Sequence, residues 1–576
     1  MACSFANFFQ KKLSTIKKNM KIKSLMLAAM VGLPFIGIAQ LAAPPDNWQH
    51  LDKMKDGYYG VSANKMYNEV LSGKKSETVV VAVIDGGIDP LHEDLKDVMW
   101  TNPGEIPGNK IDDDKNGYVD DVYGWNFIGG KDGRNVGADQ LEGTRLVAHY
   151  KKKFQGKDAS KLSGKEKKEY EKYKKLEESV TKEREKAESD LQTYGGILEA
   201  MKSLQKQIGK KEITIEDLQK FESADANLKR AAQIMMGMMG EGSSAKEVQD
   251  GLQEYVDYLT SKAKYQYNVD FDGRSVVGDN YADSYEKGYG NNDVKGPDAK
   301  HGTHVAGIIA ASRNNSKGMD GIANNVKIMA IRCVPDGDER DKDVANAIIY
   351  AVDNGATVIN MSFGKSESWD KAAVDKAVKY AMKNDVLLVH AAGNSHQNND
   401  ESSNYPNDRF EKKGLFGPKK AKNWVEVGAL SWKNGEDMPA EFSNYGKENV
   451  DLFAPGVDIY ATTPDGGYEH LDGTSMASPV VAGVAATIRS YYPDLSAEEV
   501  KDVLMASTTM SANAKVKVPG DEEKLVPFTE LCVTGGVANA YEAAKKAAKV
   551  KGSRKKKFRD RAAAAASGKP LNPGRA

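Results

Sequence analysis

"TVVVAVIDGGID", residues 78–89, sets the architecture of this chain. From Val79 to Ile84 every side chain is apolar, most are β-branched, and no polar residue alternates with them. That pattern belongs to a strand buried on both faces, as in a parallel sheet covered by helices on each side. The run stops on Asp85, and Gly86-Gly87 breaks it. In open parallel sheets ligands bind beyond the carboxyl ends of the strands, so an acid in that position is a candidate for chemistry.

Four further runs read the same way: "VKIMAIRCV" (326–334), "TVINMSF" (357–363), "VLLVHAA" (386–392) and "WVEVGAL" (424–430). Between them "DVANAIIYAVDNG" (343–355) and "WDKAAVDKAVKYAMKND" (369–385) repeat apolar residues at three and four, the helical period. Strands alternating with amphipathic helices predict an α/β fold with a mostly parallel central sheet. Asn394 closes a second strand in "HAAGN". Ser496 and Glu499 predict a capping box ahead of "VKDVLMAS", and "TGGVANAYEAAKKAAK" (534–549) supplies a closing helix.

One segment breaks the alternation. Residues 145–268 are polar, charged and helical, with Tyr170, Tyr173, Leu176, Val180, Leu191, Tyr194, Leu198, Met201, Leu204 and Ile208 approximating one apolar stripe. Thr214 with Asp217, and Ser244 with Glu247, open two more helices. We read an inserted all-helical hairpin or small bundle, with Gly195-Gly196 interrupting any long coiled coil. The methionines of "IMMGMMG" (234–240) are expected to fill helix packing.

A formal net charge of -1 and a pI near 6.8 give no overall electrostatic case for a nucleic-acid partner. Residues 1–39 combine the basic "KKLSTIKKNMKIK" with the apolar "LMLAAMVGLPFIGIA", and Gly37 and Ala39 precede a cleavage site at Gln40. This predicts a secretory signal peptide, with no stable membrane span and an exported product: periplasmic, surface-bound or released. Residues 40–77 then form an N-terminal extension, 78–144 and 269–545 the two parts of the main domain, and 546–576 a basic, disordered tail. Of three cysteines, Cys333 and Cys532 lie in apolar settings, so two buried thiols and one disulfide both remain open.

Three residue groups carry chemistry. "HGTHVAG" (301–307) holds two histidines three apart: either a metal pair lacking a third ligand, or a general base at a helix start. In "LDGTSMASPVVAG" (471–483), Ser475 stands just ahead of an apolar helical run that tolerates Pro479 near its start. A serine there is ordinarily an N-cap, yet free N–H groups and the positive dipole end also suit a developing oxyanion. In "NKIDDDKNGYVDDVYGWNF" (109–127), Asp112, Asp114, Asn116 and Gly117 match the alternating oxygens and turn glycine of a calcium loop, with Asp120 and Asp121 further on. Tyr123 falls where an EF-hand closes with glutamate, and an acidic solvated turn is the alternative.

In order, "VAVIDGGID" (81–89), "HGTHVAG", "AAGN" (391–394) and "GTSMASP" (473–479) resemble the subtilase (subtilisin-like) serine protease family, whose triad runs Asp, His, Ser. The resemblance covers residues 78–130 and 270–545 and implies a subtilisin-like three-layer fold. It implies Ser475 as nucleophile, His301 as base, Asp85 as the acid orienting it and Asn394 as oxyanion donor, with His304 structural. It further implies a substrate pocket walled by Ser362, Phe363 and Gly364 on one side and Ala391, Ala392 and Gly393 on the other. Asn404, in "NYPND" (404–408), would lie at its floor and disfavour the largest aromatic side chains. The acidic "DGDER" (336–340) would tolerate basic residues earlier in the substrate.

The sequence departs from the family in two places. His301 lies 216 residues after Asp85, where relatives have a few tens, because the helical insertion falls between them. The extension before the first strand is too short for the chaperone-like prodomain of many relatives. The expectation is an exported serine endopeptidase acting on protein or peptide substrates. No cofactor is required for the chemistry, and Asp112, Asp114, Asn116 and Asp121 would hold a structural calcium ion. The alternatives are a catalytically vestigial scaffold acting through the insertion, or a metal-dependent hydrolase using His301 and His304.

Overall fold

Valine and isoleucine fill β1 (Val79–Asp85), and each of its residues is buried. Val79, Val81 and Val83 enter one core, while Val80, Ala82 and Ile84 enter the other, the alternation of a strand with helices on both faces. The strands that follow are β2 (Gly124–Asn126), β3 (Val326–Arg332), β4 (Val358–Met361), β5 (Leu387–Ala391), β6 (Trp424–Leu430) and β7 (Leu452–Pro455). They form one seven-stranded sheet in the order β2-β3-β1-β4-β5-β6-β7, every pair parallel. Two antiparallel hairpins, β8 (Ile459–Thr463) with β9 (Gly467–Leu471) and β10 (Lys515–Val518) with β11 (Asp521–Pro527), stand apart from it. This computed structural model describes residues 43–239, 244–411, 417–510 and 514–568; the expected signal peptide lies outside them.

The helices run in chain order. After β2 come α1 (Glu142–Phe154), α2 (Gly164–Ile208), α3 (Ile215–Gln219), α4 (Ala226–Met239) and α5 (Ala245–Ser261). On the sheet lie α6 (Lys300–Ala310), α7 (Asp341–Asp353), α8 (Lys371–Lys383), α9 (Thr474–Tyr491), α10 (Ala497–Met505), α11 (Ala540–Ala547) and α12 (Lys556–Ala566). Side chains of α6, α9, α10 and α11 join the core on one face of the sheet. Those of α7 and α8, with Ala565 of α12, join the core on the other. The result is a three-layer α/β fold around a parallel sheet.

The chain divides into two compact units, one spanning Gly143–Phe271 and one made of Pro44–Glu142 with Asp272 onward. In the first, α2, α4 and α5 bury Leu198, Met201, Leu204, Met235, Leu252 and Tyr255 in a core of their own. The capping boxes at Thr214/Asp217 and Ser244/Glu247 are both formed. The interruption expected at Gly195-Gly196 is absent: α2 passes through both glycines without a break. Two glycines cost a helix about 2 kcal/mol against alanine, which the burial of Tyr194, Leu198, Met201 and Leu204 beside them outweighs.

In the second unit the N-terminal extension is anchored by Trp48, wholly buried, whose Nε1 donates to the carbonyl of Val457 at 3.1 Å. The tail requires a correction. Described through residue 568, it is not disordered but carries α12, with Ala562 and Ala565 buried. Trp100 Nε1 donates to the Ala565 carbonyl at 3.2 Å, Arg554 pairs with Asp385 at 2.8 Å, and Arg559 reaches both Glu77 and Asp494. An alanine run favours helix, and these arginines find acids distant in sequence that no local pattern announces. Cys333 and Cys532 are free and buried, and burial raises both thiols above their ordinary range.

Candidate active site

The end of β1 and the start of α6 meet at the expected acid and base. His301 Nδ1 lies 2.7 Å from Asp85 Oδ1, and the backbone N–H of Gly86 donates to the same oxygen at 2.7 Å. A carboxylate accepting at Nδ1 places the ring proton there and leaves Nε2 as the acceptor, the tautomer a general base needs. Gly302 is required by closeness: a Cβ there would stand 2.2 Å from the Gly87 carbonyl and 3.1 Å from Asp85 Oδ1. His304 turns elsewhere, its Nε2 donating to the carbonyls of Ile459 and Glu469 at 3.0 and 3.1 Å. Burial lowers its pKa to about 3, so it stays neutral. The two histidines therefore do not share a metal vertex.

Ser475 is the second residue of α9, where the helix N–H groups lack intrahelical partners. Its Oγ donates to the Ser362 carbonyl at 3.0 Å, while Ser362 Oγ donates to the Ser475 carbonyl at 2.9 Å. The Ser475 hydroxyl is thus held by the Ser362 backbone and makes no hydrogen bond to His301 in this structure. Asn394 is oriented by a residue that motif matching left without a role. Thr474 donates from both N and Oγ1 to Asn394 Oδ1, each at 2.9 Å, and Thr474 Oγ1 accepts from the Gly393 N–H at 3.1 Å. With Oδ1 occupied, Nδ2 faces outward as a donor. A Cβ built on Gly473 would lie 3.4 Å from Ser475 N and 3.6 Å from Asn394 Nδ2, so both donors border one small space. That arrangement suits an oxyanion.

The residues expected to wall a substrate pocket follow β4 and β5. Ser362, Phe363 and Gly364 continue from one strand, while Ala391 ends the other and Ala392 and Gly393 follow it. Lys365 and Tyr405 exchange backbone hydrogen bonds of 2.9 and 2.8 Å, which draws the 404–408 segment alongside the first wall. Asn404 Nδ2 donates to the carbonyls of Ala391 and Ala392 at 3.2 and 3.1 Å. A Cβ on Gly364 would meet Asn404 Oδ1 at 2.5 Å, so the asparagine reaches from one wall to the other. In the acidic 336–340 segment Glu339 and Arg340 are buried. Arg340 binds Asp139 through two contacts of 2.7 and 2.9 Å, and burial pushes the Glu339 carboxyl up to about 8.

The subtilase family model matches residues 76–523 of this chain. The chain belongs to the subtilase family. A thermophilic serine proteinase of Bacillus sp. (strain AK1) is 38% identical over 252 residues, covering 43% of this chain and 53% of that protein. Subtilisin DY of Bacillus licheniformis is 38% identical over 210 residues, covering 36% of this chain and 70% of that one. A solved protease from Pseudoalteromonas arctica is 28% identical and covers 46% of this chain and 81% of that one, at a TM-score of 0.36. The subtilase thus spans about half the length of the thermophilic proteinase it matches.

In this subtilase the acidic loop brings together a set that differs from the expected one. Carboxylate oxygens of Glu105, Asp114 and Asp121 lie within 4.8 Å of one another. Asp112 instead ties the turn, accepting the N–H groups of Asn116 and Gly117 at 3.0 and 2.9 Å. Asn116 bridges Asp114 and Asp121 through Nδ2, at 3.1 Å to each. Burial raises all three converging carboxyls, Asp121 to about 8. Glu105 lies seven positions before Asp112, outside the alternating pattern, so spacing alone does not single it out.

Proposed function

We propose that this subtilase is an exported serine endopeptidase that hydrolyses peptide bonds through an acyl-enzyme. Ser475 Oγ attacks the scissile carbonyl, His301 Nε2 takes its proton and returns it to the leaving amine, and Asp85 holds the imidazole and stabilises its charge. Asn394 Nδ2 and the Ser475 N–H receive the oxyanion. The observation that carries this reading is the 2.7 Å Asp85–His301 contact beside an asparagine amide locked by Thr474. An incoming peptide N–H competes for the Ser362 carbonyl that now holds Ser475 Oγ, which frees the hydroxyl to turn toward His301. The test is a fluorophosphonate probe on the purified mature protein, read by intact mass. One adduct is expected, absent from Ser475→Ala. No adduct on folded protein, or one that survives the substitution, overturns the reading. Export is checked by N-terminal sequencing of the processed protein, expected to begin at Gln40.

Because Asn404 spans the pocket, the residue before the cleaved bond is expected to be small or medium-sized. Asn404→Gly should raise kcat/KM for phenylalanine or leucine there about tenfold or more relative to alanine, by clearing space between the walls. Unchanged ranking of a substrate series would place the floor elsewhere.

The acidic loop suits a structural calcium ion, held by Glu105, Asp114 and Asp121 as an all-oxygen set. An ion there would neutralise carboxylates that burial otherwise disfavours. Raised folded-state pKa values mean the native loop binds protons more tightly than the unfolded chain. Without metal, stability is therefore lost as pH rises from about 4 toward the Asp121 value of about 8. Calcium should raise Tm strongly at pH 8 and little at pH 5, and Glu105→Gln with Asp114→Asn should remove most of that increment. An increment that survives the double substitution assigns the ion to another place.

A further inference from the structure

We propose that Arg332 is a positioning residue for the triad aspartate, acting through the Gly86 backbone; the proposal rests on the serine protease reading above. Arg332 ends β3 and lies directly across from Asp85 in the parallel register. It is 1% exposed, one of the largest wholly buried side chains of the protein. Its Nε donates to the Gly86 carbonyl at 2.7 Å, one terminal nitrogen to Asn126 Oδ1 at 3.1 Å and the other to the Val136 carbonyl at 2.6 Å. All three acceptors are neutral oxygens.

A buried guanidinium hydrogen-bonded only to neutral oxygens, with Asp293 and Asp298 acting on it through space alone, is costly to desolvate, and burial lowers its pKa on balance. Retention for position accounts for it better than retention for stability. The geometry names what is positioned. Gly86 is gripped on both sides: its N–H donates to Asp85 Oδ1, and its carbonyl receives Arg332 Nε. That same Asp85 oxygen meets His301 Nδ1. The turn here is Gly86-Gly87, two residues without side chains and with the widest backbone freedom, immediately after the triad acid. Left to itself, such a turn would let the Gly86 N–H, and with it the carboxylate, wander.

The cover over the guanidinium is built equally closely. Gly296 has φ +63°, and a Cβ there would stand 2.3 Å from Arg332 Nε. Three segments, those of Gly86, Asn126 and Val136, are therefore joined by one planar fork, a geometry that a lysine ammonium reproduces at one acceptor but not at all three.

The test uses the mature protein as Arg332→Met and Arg332→Lys, with thermal melting, steady-state kinetics on a peptide substrate and the rate of fluorophosphonate labelling. Arg332→Met should melt cooperatively, with kcat and the labelling rate each down about tenfold to a hundredfold and KM within about twofold, as for a small misplacement of a reacting group. Arg332→Lys should recover part of that loss. Gly296→Ala serves if Arg332→Met does not fold, since it displaces the guanidinium without removing it; the same loss in kcat at retained KM is expected. Wild-type kcat and labelling in a folded Arg332→Met or Gly296→Ala variant overturns the proposal. So does a loss that appears only in proportion to unfolded protein. If the wild type itself shows neither labelling at Ser475 nor turnover, the protease reading has failed, and the comparison of variants is not what condemned it.

Discussion

Replacing His301 with alanine should lower kcat by about 10⁶-fold while leaving KM within a few-fold, the size of the loss when a subtilisin triad loses its base. His301 Nε2 is the acceptor left by the 2.7 Å bond at Nδ1, and without it Ser475 Oγ keeps its proton at the moment of attack. In the proposed mechanism the three residues act as a unit, so adding Ser475→Ala to His301→Ala should cost almost nothing more. The residual rate should still exceed that in water by about 10³–10⁴, supplied by the oxyanion donors and binding. Steady-state kinetics on a fluorogenic peptide decides it. A His301→Ala enzyme within about a hundredfold of wild type would mean that another group removes the proton.

Asn394→Ala should lower kcat by about 10²–10³ with KM nearly unchanged, because in the proposed mechanism its Nδ2 donates to charge that exists only in the transition state. Thr474→Val removes a donor to Asn394 Oδ1 without touching the oxyanion and should give a smaller loss of the same kind. A large rise in KM at intact kcat for Asn394→Ala would make that side chain a ground-state substrate contact instead.

Among the described residues, what was legible beforehand was what local pattern encodes. Short, mostly apolar runs without strict alternation announced β1, β3, β4, β5 and β6, and each lies in the sheet. β2 and β7, of three and four residues, were not singled out by any run in the sequence. Asp85, Asn394 and Ser475 were visible as polar residues stranded at the ends of apolar elements. Asn404 was placed only by resemblance; the structure adds that its side chain reaches both walls.

The sequence by itself determined the elements whose causes are local: buried strands from the lack of alternation, and helix starts at Thr214, Ser244 and Ser496 from serine or threonine three residues before an acid. Tertiary structure alone decided the features whose partners lie far along the chain. Thr474 orients Asn394 across 80 residues, Arg332 holds Gly86 across 246, and Trp100 receives α12 across 465. The same holds for Glu105 joining the acidic loop and for α2 running through Gly195-Gly196. Propensity and period act over one or two turns, whereas burial and hydrogen bonding between distant segments are settled only when those segments are brought together.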